Sequence, residues 1–233
     1  MARITRKELK TDKFALEVEH TVDFFEEHRT EIFRYGAAAL VVAALVALIF
    51  VYRAHQHTVR QEALAKAMAV LQAPIGPAAP GAAQSFPTQD AKDKEATKEF
   101  SELAANYSGT DEGYIAEFYL GCMAADQNNL GDADKRFSSV ANSAGKKYAS
   151  LAKLSLAQIN FAEGKPGPGE QLLRSLMDNP TVFVSKDQAT LVLAKMLAPT
   201  KPAEARKLLE PLRGKPGPIS SAAIQAYGEL SAQ

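Results

Sequence analysis

The chain has 233 residues, with 27 basic against 27 acidic, so its charge balance offers no electrostatic footprint for nucleic acid. A single cysteine, Cys122, excludes a disulfide within the chain, and beside only four histidines it makes a multi-ligand metal site an unfavourable expectation. Abundant alanine, no tryptophan and no long alternating β-branched runs predict an all-α fold.

The first element is a tail over residues 1–34. Phe14, Val18, Val22, Phe25 and Ile32 are spaced 4, 4, 3 and 7 apart, an apolar helical stripe with Thr11 or Asp12 available to cap its start. Residues 1–34 carry eight acidic and seven basic side chains, unlike the Lys/Arg-rich helices that lie on anionic lipid. The tail therefore reads either as an amphipathic helix docked on the bilayer surface or on a partner protein, the charge balance favouring protein, or as a solvated extension of the apolar segment after it.

That segment is "RYGAAALVVAALVALIFVYR", eighteen uncharged residues between Arg34 and Arg53. At about 1.5 Å per residue a helix of that length spans roughly 27 Å, close to the hydrocarbon thickness of a bilayer. Tyr35 and Tyr52 stand where an aromatic belt belongs, and Arg34 and Arg53 are placed to snorkel to headgroups. A secretory signal has a shorter core and a small-residue cleavage site, neither of which this stretch offers. The reading is a retained single transmembrane helix over residues 35–52, with the lipid bilayer as a partner. Positive residues close to the span are nearly balanced. The seven basic residues of the short tail favour an N-terminus inside, because a long C-terminal portion translocates regardless of its charge.

Residues 53–72 continue the helical pattern, with Leu64, Met68 and Leu71 on one stripe. The stretch 73–90, "APIGPAAPGAAQSFPTQD", holds four prolines and two glycines and reads as a linker that cannot be helical.

Residues 91–233 repeat. Ala96, Phe100 and Leu103 recur as Ala133, Phe137 and Val140, as Gly169, Leu173 and Leu176, and as Ala205, Leu209 and Leu212, at steps of 37, 36 and 36 residues in each column. Leu120-Gly121, Leu156-Ala157 and Leu193-Ala194 precede the later three sets by 12, 12 and 11 residues, and Pro180 and Pro216 close two units. The layout predicts antiparallel helix pairs in which a small residue permits close approach and a large one fills the space towards the next unit. Asp132 is the expected cap after Gly131. Pro202 fits a first turn, and "GKPGPGE" and "GKPGPIS" read as turns between helices.

These columns resemble the tetratricopeptide repeat, whose units pair Leu-Gly in a first helix with Ala and Phe in a second and a closing Pro; "YLGCMAADQNNLGDADKRF" comes nearest to the pattern. The resemblance implies an α-solenoid, with residues 55–72 as the first unit's leading helix and "PISSAAIQAYGELSAQ" as an unpaired cap carrying Tyr227-Gly228 in the Leu-Gly place. The order of parts, including "VDFFEEHR" in the tail, resembles the YfgM-like family, ancillary subunits of the SecYEG translocon. That resemblance implies a bacterial inner-membrane protein with a cytoplasmic tail and a periplasmic repeat domain, contacting the translocon, periplasmic chaperones or exported chains. A scaffold for envelope or cell-division assembly is the alternative role for the same architecture.

No catalytic constellation is expected: the chain has no phosphate-binding Gly-rich loop, no G-x-S-x-G and no H-E-x-x-H. Neither a cofactor nor a small-molecule substrate is implied. His55 and His57 would face different directions on a helix, and His20 and His28 lack a third ligand. In stacked pairs the first helices line the concave face, and the repeat register places Phe118, Cys122, Gln158, Phe161 and Lys195 there as a candidate protein-binding groove. The two aromatics serve either as contacts or as core. Without a dense Lys/Asn set to clamp a carboxylate, binding there is expected to be broad or apolar.

Overall fold

The computed structural model describes residues 29–77 and 84–231, apart from the side chains of Ile32, Lys146 and Ser231. The stripe expected from Phe14 to Phe25 lies outside those residues, and so do His20 and His28. The described elements are the helices α1 (Arg29–Gln72), α2 (Gln89–Asn106), α3 (Asp111–Asp126), α4 (Leu130–Ser143), α5 (Lys146–Ala162), α6 (Pro166–Asp178), α7 (Lys186–Leu197), α8 (Pro202–Arg213) and α9 (Pro218–Ser231). The chain divides into two compact units, Met1–Thr58 and Val59–Gln233. The unit that holds the repeats thus takes in the end of α1 and the Pro-rich loop. Residues 53–72 contain no Pro or Gly, so nothing separates them from the apolar run, and α1 continues through both.

In the first unit, α1 is long and apolar enough to cross a membrane, and none of its most apolar 18-residue window is buried. A soluble core helix of this composition would bury at least one face. Arg34, Tyr35, Tyr52 and Arg53 are all exposed at the ends of that run.

In the second unit the stack is built by the repeat columns. All twelve column residues on α2, α4, α6 and α8 are buried, and so are Leu120-Gly121, Leu156-Ala157 and Leu193-Ala194 on α3, α5 and α7. The end of α1 acts as a leading helix: Ala67 and Val70 share a core cluster with Ala96, Phe100, Leu103, Ala116 and Leu120. α9 closes the series through Ala223, Ala226 and Leu230, which join the core of α7 and α8. Tyr227 is half-buried under the Arg213 guanidinium, 4.3 Å from its ring centre, while Gly228 is exposed with no neighbour near its missing Cβ.

Two glycines interrupt the small-residue columns, and each faces a phenylalanine. A Cβ on Gly121 would lie 2.8 Å from the Phe137 ring, and one on Gly169 would lie 2.7 Å from the Phe161 ring. In the equivalent places of the later units Ala157 and Ala194 accompany Leu173 and Leu209 in one core cluster. Phe161 likewise stands where Ala125 and Ala198 stand in their units, opposite Ala133 and Ala205. Each gain in volume on one helix is thus matched by a loss on its partner, as close packing requires.

Helix starts follow local chemistry. Thr88, Thr110, Asn129 and Ser185 cap α2, α3, α4 and α7, each accepting from the amide three residues on, at 3.2, 3.2, 3.3 and 3.1 Å. Asn129, rather than the expected Asp132, caps α4; the Asp132 amide donates to it, and the Asp132 carboxylate takes the Arg136 guanidinium at 2.8 Å. Pro202 opens α8 as expected. "GKPGPGE" is more than a turn, since its Pro166 already opens α6, where a missing N–H costs no hydrogen bond. The Pro-rich loop is clasped at its base by a parallel bridge between Ile75 and Phe86: Gly76 N donates to Phe86 O at 2.8 Å, and Phe86 N to Pro74 O at 3.0 Å.

α6 and α8 are laced by exposed charges: Glu170 accepts from Lys201 at 2.9 Å and Arg174 at 2.6 Å, and Arg174 also reaches Glu204 at 2.6 Å. Hydrogen bonds from Lys201 and Arg174 hold the Glu170 carboxyl below its usual value. Its contribution is therefore present above the ordinary carboxylate range and lost as pH falls through the lowered folded value. The Glu170→Gln variant is expected to melt slightly below the parent at pH 7, by less than about 1 kcal/mol for so exposed a network. Melts in strong acid should show the two proteins equal.

Candidate functional site

The consecutive helices of the second unit run antiparallel, so α3, α5, α7 and α9 share one direction and form the set of first helices. Their backbones approach one another across unit boundaries, α3 to α5, α5 to α7 and α7 to α9. Among the described residues the second helices α2, α4, α6 and α8 make no such backbone approach to each other. A stack whose members are close on one side and splayed on the other is curved with the first helices inside, which gives the unit an inner face.

Cys122, Gln158 and Lys195 are equivalent positions on successive first helices, 36 and 37 residues apart. Gln158 and Lys195 are exposed, and Cys122 is half-buried beside α4. Phe118 is half-buried, its ring 5.4 Å from that of Phe137 and 6.0 Å from that of Tyr119. Phe161 is half-buried over Gly169. Both aromatics thus serve packing within a unit while keeping a partial solvent face, and the polar pair Gln158 and Lys195 is the freely accessible part of the set.

Burial, with Asp126 adding to it, pushes the Cys122 thiol up to about 11. A thiol so placed is almost wholly protonated at neutral pH and is a poor nucleophile. Alkylation of Cys122 in the folded protein is expected to run about 100-fold slower at pH 7.5 than that of a free cysteine, and to accelerate on unfolding. Parity with free cysteine in a timed iodoacetamide reaction would contradict this environment. Among the described residues no group of three His, Cys, Asp or Glu is placed to hold a metal ion.

Sequence reasoning passed over three features. The first is a row along the edge where the chain enters the second unit. Arg60 donates to the buried Glu112 at 3.1 Å, and the Tyr148 ring lies 5.4 Å from that of Phe183. Burial, with Asp111 and Glu112 close by, holds the Tyr148 hydroxyl above its usual value. The second is an exposed turn, Val182-Phe183, whose signal in the sequence is an apolar "TVFV" inside a connection longer than its counterparts. The third is a cleft of about 640 Å³ between α4 and α6, floored by α5 and lined by Ala141, Ala144, Lys153, Ser175, Asp178 and Thr181. In the preceding unit Glu117 and Arg136 pair at 3.0 Å and line the equivalent cleft of about 450 Å³; their register equivalents, Lys153 and Leu172, cannot pair.

The model of the tetratricopeptide repeat-like domain matches residues 23–179, about two thirds of the chain. No curated protein and no solved structure matches it. Beyond residue 179 the columns Leu193-Ala194 and Ala205, Leu209 and Leu212 remain buried in the same register, so the stack continues past the matched region. By the match and by this packing, the chain belongs to the tetratricopeptide repeat-like domain family.

Proposed function

We propose that the protein is a membrane-anchored scaffold that presents the inner face of its helical stack to other proteins, as an ancillary subunit of the bacterial SecYEG translocon of the YfgM-like kind. The reading places residues 35–52 across the inner membrane, the tail in the cytoplasm and the repeats in the periplasm, in contact with chaperones or newly exported chains. Its main support is one observation: an apolar helical stretch with no buried residue precedes a repeat stack of a family that serves protein interaction. The exposed Gln158 and Lys195 on the inner face support peptide contact there, since both can meet backbone or carboxylate groups. The family and the absence of any phosphate loop or nucleophile elbow in the sequence support binding over catalysis.

A photoreactive residue at position 158 or 195 of the full chain, activated in native membranes, tests the reading. Capture of translocon subunits, periplasmic chaperones or exported precursors is the expected result. Reproducible capture of envelope or division components without them would favour the alternative assembly role. Extraction of the intact chain from membranes by alkaline carbonate would remove the anchor.

A further inference from the structure

Because first helices share one direction, the connections that precede them, 107–110, 144–145, 179–185 and 214–217, fall on a single edge of the second unit. The end of α1 is itself a leading helix, so the chain enters the unit at Val59 on that same edge, and the Arg60–Glu112 pair fixes the entry beside the first turn of α3. Only six residues separate Tyr52 from Val59.

On this edge the 179–185 connection is built to present apolar side chains. Val182 is 80% exposed and Phe183 40%, although large exposed apolar residues are otherwise sparse in the second unit. The turn is held firmly. Thr181 Oγ1 accepts from the amides of Phe183 and Val184 at 3.3 and 3.1 Å and shares a 2.7 Å hydrogen bond with Ser150 Oγ. Thr181 N donates to Val184 O at 2.9 Å, and the Val184 side chain is fully buried. Phe183 rests on Tyr148. Lys147, next to Tyr148 in sequence, and Lys186, three residues after Phe183, are exposed and have no ion-pair partner among the described residues. Asp111 also faces this edge, so attraction to anionic headgroups contributes little and the apolar tip dominates.

We propose that the Val182–Phe183 turn dips into the headgroup–acyl boundary of the bilayer that anchors residues 35–52, giving the repeat unit a second, reversible lipid contact. The proposal rests on the membrane-anchored reading of the chain. A lipid surface is favoured over a protein because the rigid tip carries an exposed aliphatic and an aromatic side chain on the edge by which the chain, coming from the apolar run, enters the unit.

The chain has no tryptophan, so Phe183→Trp, or Val182→Trp at the more exposed position, introduces a single fluorophore. The full-length variants are reconstituted into vesicles of phosphatidylglycerol and phosphatidylcholine, with plain or brominated acyl chains. Ile75→Trp, on the opposite edge, is the comparator. The expected result is a blue-shifted emission that loses intensity in brominated vesicles and is shielded from iodide, while the comparator responds to iodide alone. If the chain floats with the vesicles but both tip variants are quenched by iodide and not by bromine, the lipid contact is overturned and the anchor stands. Shielding from both quenchers, as a second copy covering the turn would give, overturns it too, as does equal bromine quenching of the comparator. A chain that fails to float with the vesicles overturns the anchor reading and this contact with it.

Discussion

Replacing Phe137 by alanine is expected to lower the stability of the repeat unit by about 3–5 kcal/mol, the usual cost of deleting a fully buried phenylalanine. Phe137 is 2% exposed, sits among Ala133, Val140, Ala152 and Leu156, and fills the space created by Gly121. Few relaxations can close that hole, because both flanking helices are pinned by further units. Thermal melts of the full chain in detergent should show a fall on the order of 10 °C. A companion series isolates the size match. Gly121→Ala alone should cost about 1–3 kcal/mol, because its Cβ would press a ring that has nowhere to move. Phe137→Leu alone should also destabilise. The double variant recreates the Ala/Leu pairing of the later units and should recover much of both losses. Strict additivity of the two singles would show that the residues are not coupled.

The second large effect is expected at Gly113. A Cβ there would lie 2.2 Å from the backbone oxygen of Tyr107. That carbonyl cannot yield cheaply: it accepts from Thr110 Oγ1 at 2.7 Å and from Thr110 N at 3.2 Å, while Thr110 caps the helix through the Gly113 amide. Gly113→Ala is therefore predicted to cost about 2–3 kcal/mol and to raise amide exchange through the first turn of α3. Gly131→Ala is the control. Nothing lies near its missing Cβ, so the better helix propensity of alanine should leave stability unchanged or raised by up to about 1 kcal/mol. Equal effects at the two glycines would mean that general backbone freedom, and not the Tyr107 carbonyl, governs the first.

The stack was legible in the sequence because it is written in side-chain size at a fixed period, and Ala96, Phe100, Leu103 and their successors all prove to be buried. The exceptions to that period were the opaque part. Gly121 and Gly169 read as substitutions within a small-residue column, and only three dimensions show the phenylalanine that each one accommodates. The α4 cap was misplaced by three residues because Asn129 and Asp132 are both good caps, and the choice depends on where the preceding turn ends. On the inner face, register alone selects Gln158 and Lys195, which are exposed. It could not tell how far Phe118 and Phe161 turn towards their own second helices, since a half-buried aromatic satisfies either position. Edge features such as Tyr148 beside Phe183 join residues 35 apart in a connection and a helix start, and no periodic pattern reports them.

The clasp between Ile75 and Phe86 has a practical corollary. With Lys92 Nζ also donating to Ala73 O at 2.8 Å, the two ends of that segment are fastened independently of whatever chain they enclose. Evolution can lengthen or shorten the enclosed stretch without disturbing the helices on either side, because the closure entropy of a longer excursion grows only slowly. The same place is a natural cassette. A short tag spliced between residues 78 and 83 should leave the melting profile of the protein intact, whereas the same tag placed after Asn128 should not.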